Sequence, residues 1–231
     1  MSWDSKKDFC GLAVANKLDI KSSSKNLSGQ YLEKAGQSGA ICATKPFGAA
    51  AAPSCEYVIK GEHSFTAGDI KLGAVTTLDG KRYALASVTY ENGADMEPTF
   101  SASSQEIEET SDGTTRTFDV PAFDISPDEA AAMVMSAGTV GGADCELTKV
   151  RMTASANVKP HTKNGTAVAS DVTMGHVMVE IEILQTGNTE PTLTAGTGWD
   201  ISSPLTPEDP DADLPLWKAT LSKPLAYTTA A

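Results

Sequence analysis

The run from Lys149 to Lys159 constrains this chain more tightly than any other stretch. Val150, Met152, Ala154, Ala156 and Val158 alternate with Lys149, Arg151, Thr153, Ser155, Asn157 and Lys159. A period of two puts the first set on one face of an extended strand and the second set on the other. Asn164-Gly165 then turns the chain. Val177, Val179, Ile181 and Ile183 return along a single face, with Glu180 and Glu182 opposite. The pattern predicts a long amphipathic hairpin with one wet face.

Most of the remaining text also reads as strand and turn. Ala74–Leu78 and Lys81–Tyr90 flank Asp79-Gly80, the signature of a hairpin closed by a two-residue type I′ turn. Ala40–Thr44, Cys55–Lys60 and Leu216–Leu221 read as further strands. Residues 99–109 and 114–123, on either side of Ser111-Asp-Gly113, suggest a second hairpin, with Pro121 placing its last strand at an edge. Residues 18–31 are polar and Ser-rich, and 34–39 read as a loop.

One stretch reads as helix. Ser126 is an N-cap, Pro127 occupies the first helical position, Glu129 completes a capping box and Gly138 supplies the stop. Ala130 to Met135 are apolar nearly all round, so this short helix, at about 127–137, is expected to be buried. The expected architecture is mainly β: an antiparallel β-sandwich or barrel with long hairpins and one short α-helix. Residues 1–17 form an N-terminal arm in which Phe9, Leu12 and Val14 can dock. Residues 18–231 form a single β domain of two blocks, about 18–125 and 139–231, around the helix.

Two segments echo each other. Gly39–Gly48, a strand to Gly61 and Thr66-Ala-Gly68 match Gly165–Gly175, a strand to Gly187 and Thr194-Ala-Gly196, at an offset of 126 to 128 residues. A second echo, residues 93–99 against 187–192, runs at a different offset. Either similar hairpins are used twice, or the turns of a β protein reuse Gly, Thr and Pro.

The net charge of −12 argues against nucleic-acid binding, which needs Lys and Arg to neutralise phosphates, and against anionic membranes. The N-terminus carries no basic start followed by an apolar core, so no signal peptide is expected. Cys10, Cys42, Cys55 and Cys145 are scattered, and reduced, partly buried thiols are the default reading.

No nucleophile elbow, P-loop or dinucleotide fingerprint is present, so no enzyme and no cofactor is expected. His161, His176 and Asp171 flank one hairpin as a conceivable metal set, weighed against plain surface residues. Asp209 to Asp213 imitates the start of a calcium loop without its Gly and Glu. Glu106, Glu108 and Glu109 are close in sequence, as in any acidic strand. Trp3, Trp199 and Trp217 offer either packing or a sugar-stacking platform.

This layout resembles that of phage tail tube (major tail) proteins and related virion building blocks. The shared features are a polar arm, two β blocks of long amphipathic hairpins, a short helix at Ser126–Gly138 and a strand-forming C-terminus. Gly39–Gly48 and Gly165–Gly175, with the strands after them, carry the likeness most directly. The resemblance implies a homo-oligomer, hexameric rings stacked as a tube with other phage tail proteins. DNA would pass through the tube without specific binding. It also implies location in the virion after synthesis in the bacterial cytoplasm, and no membrane partner. Lys149, Arg151, Asn164, Gly165, Glu180 and Glu182 are then expected to make contacts between subunits. The alternatives are a carbohydrate-binding or other ligand-binding β-sandwich using Trp199 or Trp217, and a head-decoration or neck protein.

Overall fold

The computed structural model describes residues 8–12, 17–27, 30–35, 41–47, 51–60, 64–93, 96–107, 116–124, 138–140, 145–163, 166–186, 192–208 and 216–229. The strands are β1 (Leu18–Leu27), β2 (Gln30–Ala35), β3 (Ile41–Phe47), β4 (Ala51–Ile59), β5 (Ser64–Phe65), β6 (Lys71–Leu72), β7 (Val75–Leu78), β8 (Lys81–Gly93) and β9 (Met96–Ile107). They continue as β10 (Phe118–Asp119), β11 (Phe123–Asp124), β12 (Gly138–Val140), β13 (Cys145–Lys163), β14 (Thr166–Thr186), β15 (Leu193–Ala195), β16 (Asp200–Pro207), β17 (Leu216–Leu225) and β18 (Thr228–Thr229). The fold is mainly β and antiparallel. Nine strands form one sheet in the order β1-β4-β9-β8-β13-β14-β17-β16, with β7 beside β13 on the same edge of β8.

The period-two pattern sets which face is dry. Tyr57, Val88, Tyr90, Phe100, Ala102, Val150, Met152, Ala154, Val177, Val179, Ile181 and Ile183 point inward and are buried. Two short ladders lie across them, β5 with β11 and β6 with β10 and β18. Phe65 stacks on Phe100 at 5.6 Å and on Phe123 at 4.7 Å, which ties the first of these covers to the sheet. Each large apolar side chain so enclosed stabilises the fold by roughly 1.5–3 kcal/mol.

The sheet is built from one arrangement used twice. In the first block β1 pairs β4, β4 pairs β9 and β9 pairs β8. In the second β13 pairs β14, β14 pairs β17 and β17 pairs β16. In both, the four strands stand in the order first, second, fourth, third. β1 and β13 begin at residues 18 and 145, and β4 and β14 end at 59 and 186, an offset of 127 both times. This is the offset of the first sequence echo; the second copy of the other echo, at 187–192, lies almost wholly outside the described residues. The two units join where β8 pairs β13, from Lys149↔Gly93 to Ser155↔Ser87.

In each unit the first hairpin outgrows the sheet. β13 leaves β8 after Ser155, β14 meets β17 only from Val177 onward, and the strands between pair with each other out to Lys163↔Thr166. In the first unit, the β1/β4 pair runs on into β2/β3, which pair only with each other among the described residues. The registers send both arms past the end of the sheet that carries Lys81 and Ile107. The strand runs on for eight residues, 156–163, about 26 Å at about 3.3 Å per residue, the first of them still packed on the core through Ala156 and Val158.

A bulge redirects the chain at the base of that arm. Ala154 pairs Val177 and Ala156 pairs Met174, so Ser155 faces both Gly175 and His176. The extra residue leaves backbone groups without ladder partners. Tyr227 supplies them: its hydroxyl accepts the Ser155 N–H at 3.1 Å and reaches the carbonyls of Ser155 and of His176, the latter at 2.9 Å.

Several sequence readings are corrected. The polar, Ser-rich residues 18–31 contain β1 and the start of β2, and Lys34 and Ala35, read as the start of a loop, end β2. Ser22 and Ser24 lie on the open face of an edge strand, so the apolar alternation that flags a strand is missing. Among the described residues, the segment at 99–109 does not pair with 114–123. β9 lies between β4 and β8, because Phe100 and Ala102 complete the core face there, while β10 joins β6 and β18. Residues 201–207, which carry two prolines, lie in β16. Pro204 and Pro207 are tolerated there because β16 has a neighbour on one side only. Asp79 and Gly80 have φ of 51° and 74°, as the two-residue turn requires. Ser126, Glu129 and the helix at about 127–137 lie outside the described residues, and Gly138, read as the helix stop, is the first residue of β12. Phe9 and Leu12 do dock, and with Cys10 they sit inside the core.

Candidate functional site

The face of the sheet turned away from the core carries the polar half of every alternating strand. Among the described residues no strand packs over it. Its centre is a ladder of charges four strands wide. Glu91 on β8 meets Lys149 on β13 at 3.2 Å and is ion-paired to Arg151. Arg151 also lies 3.8 Å from Glu180 on β14. Glu182 pairs with Lys218 on β17 at 3.0 Å and accepts the Thr148 hydroxyl at 3.0 Å. Register is the cause: Arg151 stands opposite both Glu91 and Glu180, and Lys149 opposite Glu182. Three carboxylates and three cations therefore neutralise one another within the chain.

Beside the ladder runs a row of hydroxyls. Ser24, Ser54, Ser103, Ser87 and Ser155 are successive register partners across β1, β4, β9, β8 and β13. Ser24 and Ser54 share a hydrogen bond of 2.8 Å, and Ser87 and Ser103 one of 2.7 Å. Two shallow depressions meet at Arg151. One, of about 400 Å³, lies between Lys21, Glu56, Glu91 and Glu97; the other, of about 240 Å³, between Lys149, Glu180 and Glu182. Both are open troughs in a neutralised surface, without the convergent apolar walls that hold a small ligand.

Burial on its own disfavours the Glu91 charge, but hydrogen bonds and charge from Arg151 and Lys149 outweigh it and hold this carboxyl below its usual range. A carboxyl with a lowered folded-state pKa stabilises the protein above its unfolded value, and the contribution disappears as pH falls through the folded value. Glu91→Gln is expected to cost about 0.5–1.5 kcal/mol at pH 7, since each partly exposed pair contributes about 0.2–1 kcal/mol. The deficit should shrink as pH falls below the ordinary glutamate range and vanish once the folded-state carboxyl, which is held lower still, is also protonated. Urea unfolding of both proteins across that range checks it; a deficit independent of pH would assign the loss to packing.

Four of the residues singled out from the sequence, Lys149, Arg151, Glu180 and Glu182, are thus brought together on one face. Asn164 and Gly165 lie outside the described residues, between the paired ends Lys163 and Thr166. Glu91, Lys218 and the serine row were missed, because a single polar residue in an isolated strand carries no sign of its cross-strand partners.

The other candidates separate. His161 stands opposite Ala169 in the arm, whereas His176 lies at its base, with Nδ1 3.3 Å from the Ser155 hydroxyl. That hydroxyl also meets the His176 backbone, so it serves the bulge. Asp171 is opposite Lys159. Glu106 is tied to Lys81 at 2.6 Å, and Glu108, Glu109 and Asp209 to Asp213 lie outside the described residues. Trp199 is buried, with the Lys223 ammonium 5.8 Å from its ring centroid, so it offers no open stacking face. Trp217 is half-buried on β17, and Trp3 lies outside the described residues.

The sheet also has two outer edges, β1 and β16. Exposed apolar side chains sit near both: Val58 on β4 at 49% and Ile201 on β16 at 42%. No family model, curated protein or solved structure matches this chain.

Proposed function

We propose that this chain is a non-enzymatic virion structural protein that assembles with copies of itself, as the tail tube subunit of a bacteriophage whose rings stack around a DNA conduit. The observation that carries the reading is the repeated four-strand unit. Inside the chain, the third strand of the first unit, β8, pairs the first strand of the second, β13. β16 is the counterpart of β8 and β1 the counterpart of β13, and these are the two edges left open. A copy placed with its β1 beside β16 would repeat between chains the junction made within one. Edge strands invite such pairing, and Pro204 and Pro207 limit it to partners whose register avoids them.

The remaining features fit the same role. Two self-paired arms leaving one end of the sheet would reach a neighbouring ring, burying backbone that the sheet itself does not cover. Cations held by carboxylates are not free to grip phosphates, and the net charge of −12 repels them, so DNA would slide past without sticking. The resemblance suggests six subunits per ring. If each four-stranded unit fills one place, three of these chains close the same ring. Other phage tail proteins would cap and start the tube.

Negative-stain electron microscopy with light scattering over a concentration series tests the proposal. Rings or tubes with a central hole are the expected result, and ring mass distinguishes three chains from six. A strict monomer at every concentration would contradict self-assembly. Discrete, unstacked particles that bind capsids would favour the decoration reading instead.

A further inference from the structure

We propose that Cys10 and Cys55 are a disulfide-forming pair that fastens the N-terminal segment to the sheet when the protein meets a low-molecular-weight disulfide oxidant. The pair stands apart from the assembly reading and does not depend on it.

The geometry begins with Asp8. Its carboxylate oxygen accepts the backbone N–H groups of Cys10 at 2.9 Å and Gly11 at 2.8 Å, and the Tyr57 hydroxyl at 2.8 Å. This closes a tight turn and sets Phe9, Cys10 and Leu12 into the core. Phe9 meets Tyr83 edge-on at 6.1 Å, and Cys10 is 3% exposed. The Cys10 thiol donates to the Ala102 carbonyl at 3.5 Å. Ala102 on β9 is the register partner of Cys55 on β4. Directly opposed residues of an antiparallel pair hold their side chains about 5 Å apart on one face, so the segment sets its thiol down beside that of Cys55. The Cys55 thiol points at the same Asp8 oxygen, 4.0 Å away, that accepts the Cys10 N–H, so one carboxylate holds both cysteines.

Chemistry and access agree with that placement. The neighbouring Cys10 thiol holds the Cys55 thiol below its usual range, against burial and the Asp8 carboxylate. The Cys55 thiol and burial push Cys10 up. A cleft of about 260 Å³ lined by Cys10, Gly11, Leu12 and Asp69 opens on the Cys10 side of the pair, with Cys55 behind it.

The Cys55 thiolate attacks one sulfur of oxidised glutathione, breaking its S–S bond and releasing one glutathione thiolate. That thiolate takes the Cys10 proton. The Cys10 sulfur then attacks the Cys55 sulfur and expels the second glutathione. Two protein thiols are oxidised by two electrons, and one small disulfide is reduced to two thiols. In the reducing cytosol the pair stays open, and outside the cell it closes.

The experiment uses the full chain carrying Cys42→Ser and Cys145→Ser, exposed to millimolar oxidised glutathione or to dithiothreitol. The expected result is loss of two hydrogens in the intact mass and a Cys10–Cys55 linked peptide. Thermal unfolding should occur roughly 5–15 °C higher in the oxidised form, as a loop of this length predicts. Adding Cys10→Ser should instead trap glutathione on Cys55. Two titratable thiols persisting in the native oxidised sample, or an inert Cys55 in that variant, would overturn the proposal. If the serine variants fold poorly, peptide mapping of the wild-type chain gives the same reading, with linkage to Cys42 or Cys145 counting against it.

Discussion

Replacing Gly175 with valine should lower the stability of the chain by about 2–4 kcal/mol and its midpoint of thermal unfolding by roughly 5–15 °C. A Cβ at this position would run into the Ser155 carbonyl oxygen, its carbon and its hydroxyl. The neighbour is mostly backbone at the bulge, held in place by pairing with β8 and by Tyr227, so it cannot yield cheaply. Gly80 provides the contrast. It has φ of 74° with nothing within 4 Å of an added Cβ, so Gly80→Ala should cost only about 1 kcal/mol of left-handed backbone strain. Urea titrations of the two variants beside wild type decide between the sources. Equal losses would mean that the bulge relaxes and that close approach at Ser155 is unimportant.

Cutting back the second arm should abolish assembly while leaving the subunit folded. Substituting Asn-Gly for residues 160–170 leaves Lys159 and Asp171, already opposite each other, joined by a two-residue turn. Ala156 and Val172, buried at the base of the arm, are untouched. The far-ultraviolet circular dichroism signal and a cooperative melt should persist, while scattering mass falls to that of a monomer. A milder change, Val-Val at Asn164-Gly165, should raise the concentration needed for assembly at least tenfold, about 1.4 kcal/mol. Normal tubes from the shortened variant would remove the arm from any account of assembly. This test is read against a wild-type sample that does assemble, so loss of the arm's role and loss of the tube reading stay distinct.

Much of the inner face could be read in advance. The alternation of Val150, Met152 and Ala154 with Lys149, Arg151 and Thr153 depends only on the pleat of an extended chain, which is local. Asp79-Gly80 likewise demanded its turn from φ alone. By contrast, nothing in residues 18–27 pointed to a strand. Ser22 and Ser24 lie on an open face at an edge, where hydroxyl side chains serve as well as apolar ones.

The residues alone show that the chain is β and where its long hairpin runs, and the first echo, at 126 to 128 residues, left open whether similar hairpins are used twice. Which strands stand side by side is fixed only in the folded chain. That choice placed Glu91 against Arg151, aligned five serines, set Cys10 beside Cys55 and left β1 and β16 as matching edges. The division has a physical reason. A strand's two faces follow from bond geometry within a few residues. Its neighbours are selected by burial summed over segments far apart in the chain, and no local pattern encodes that sum.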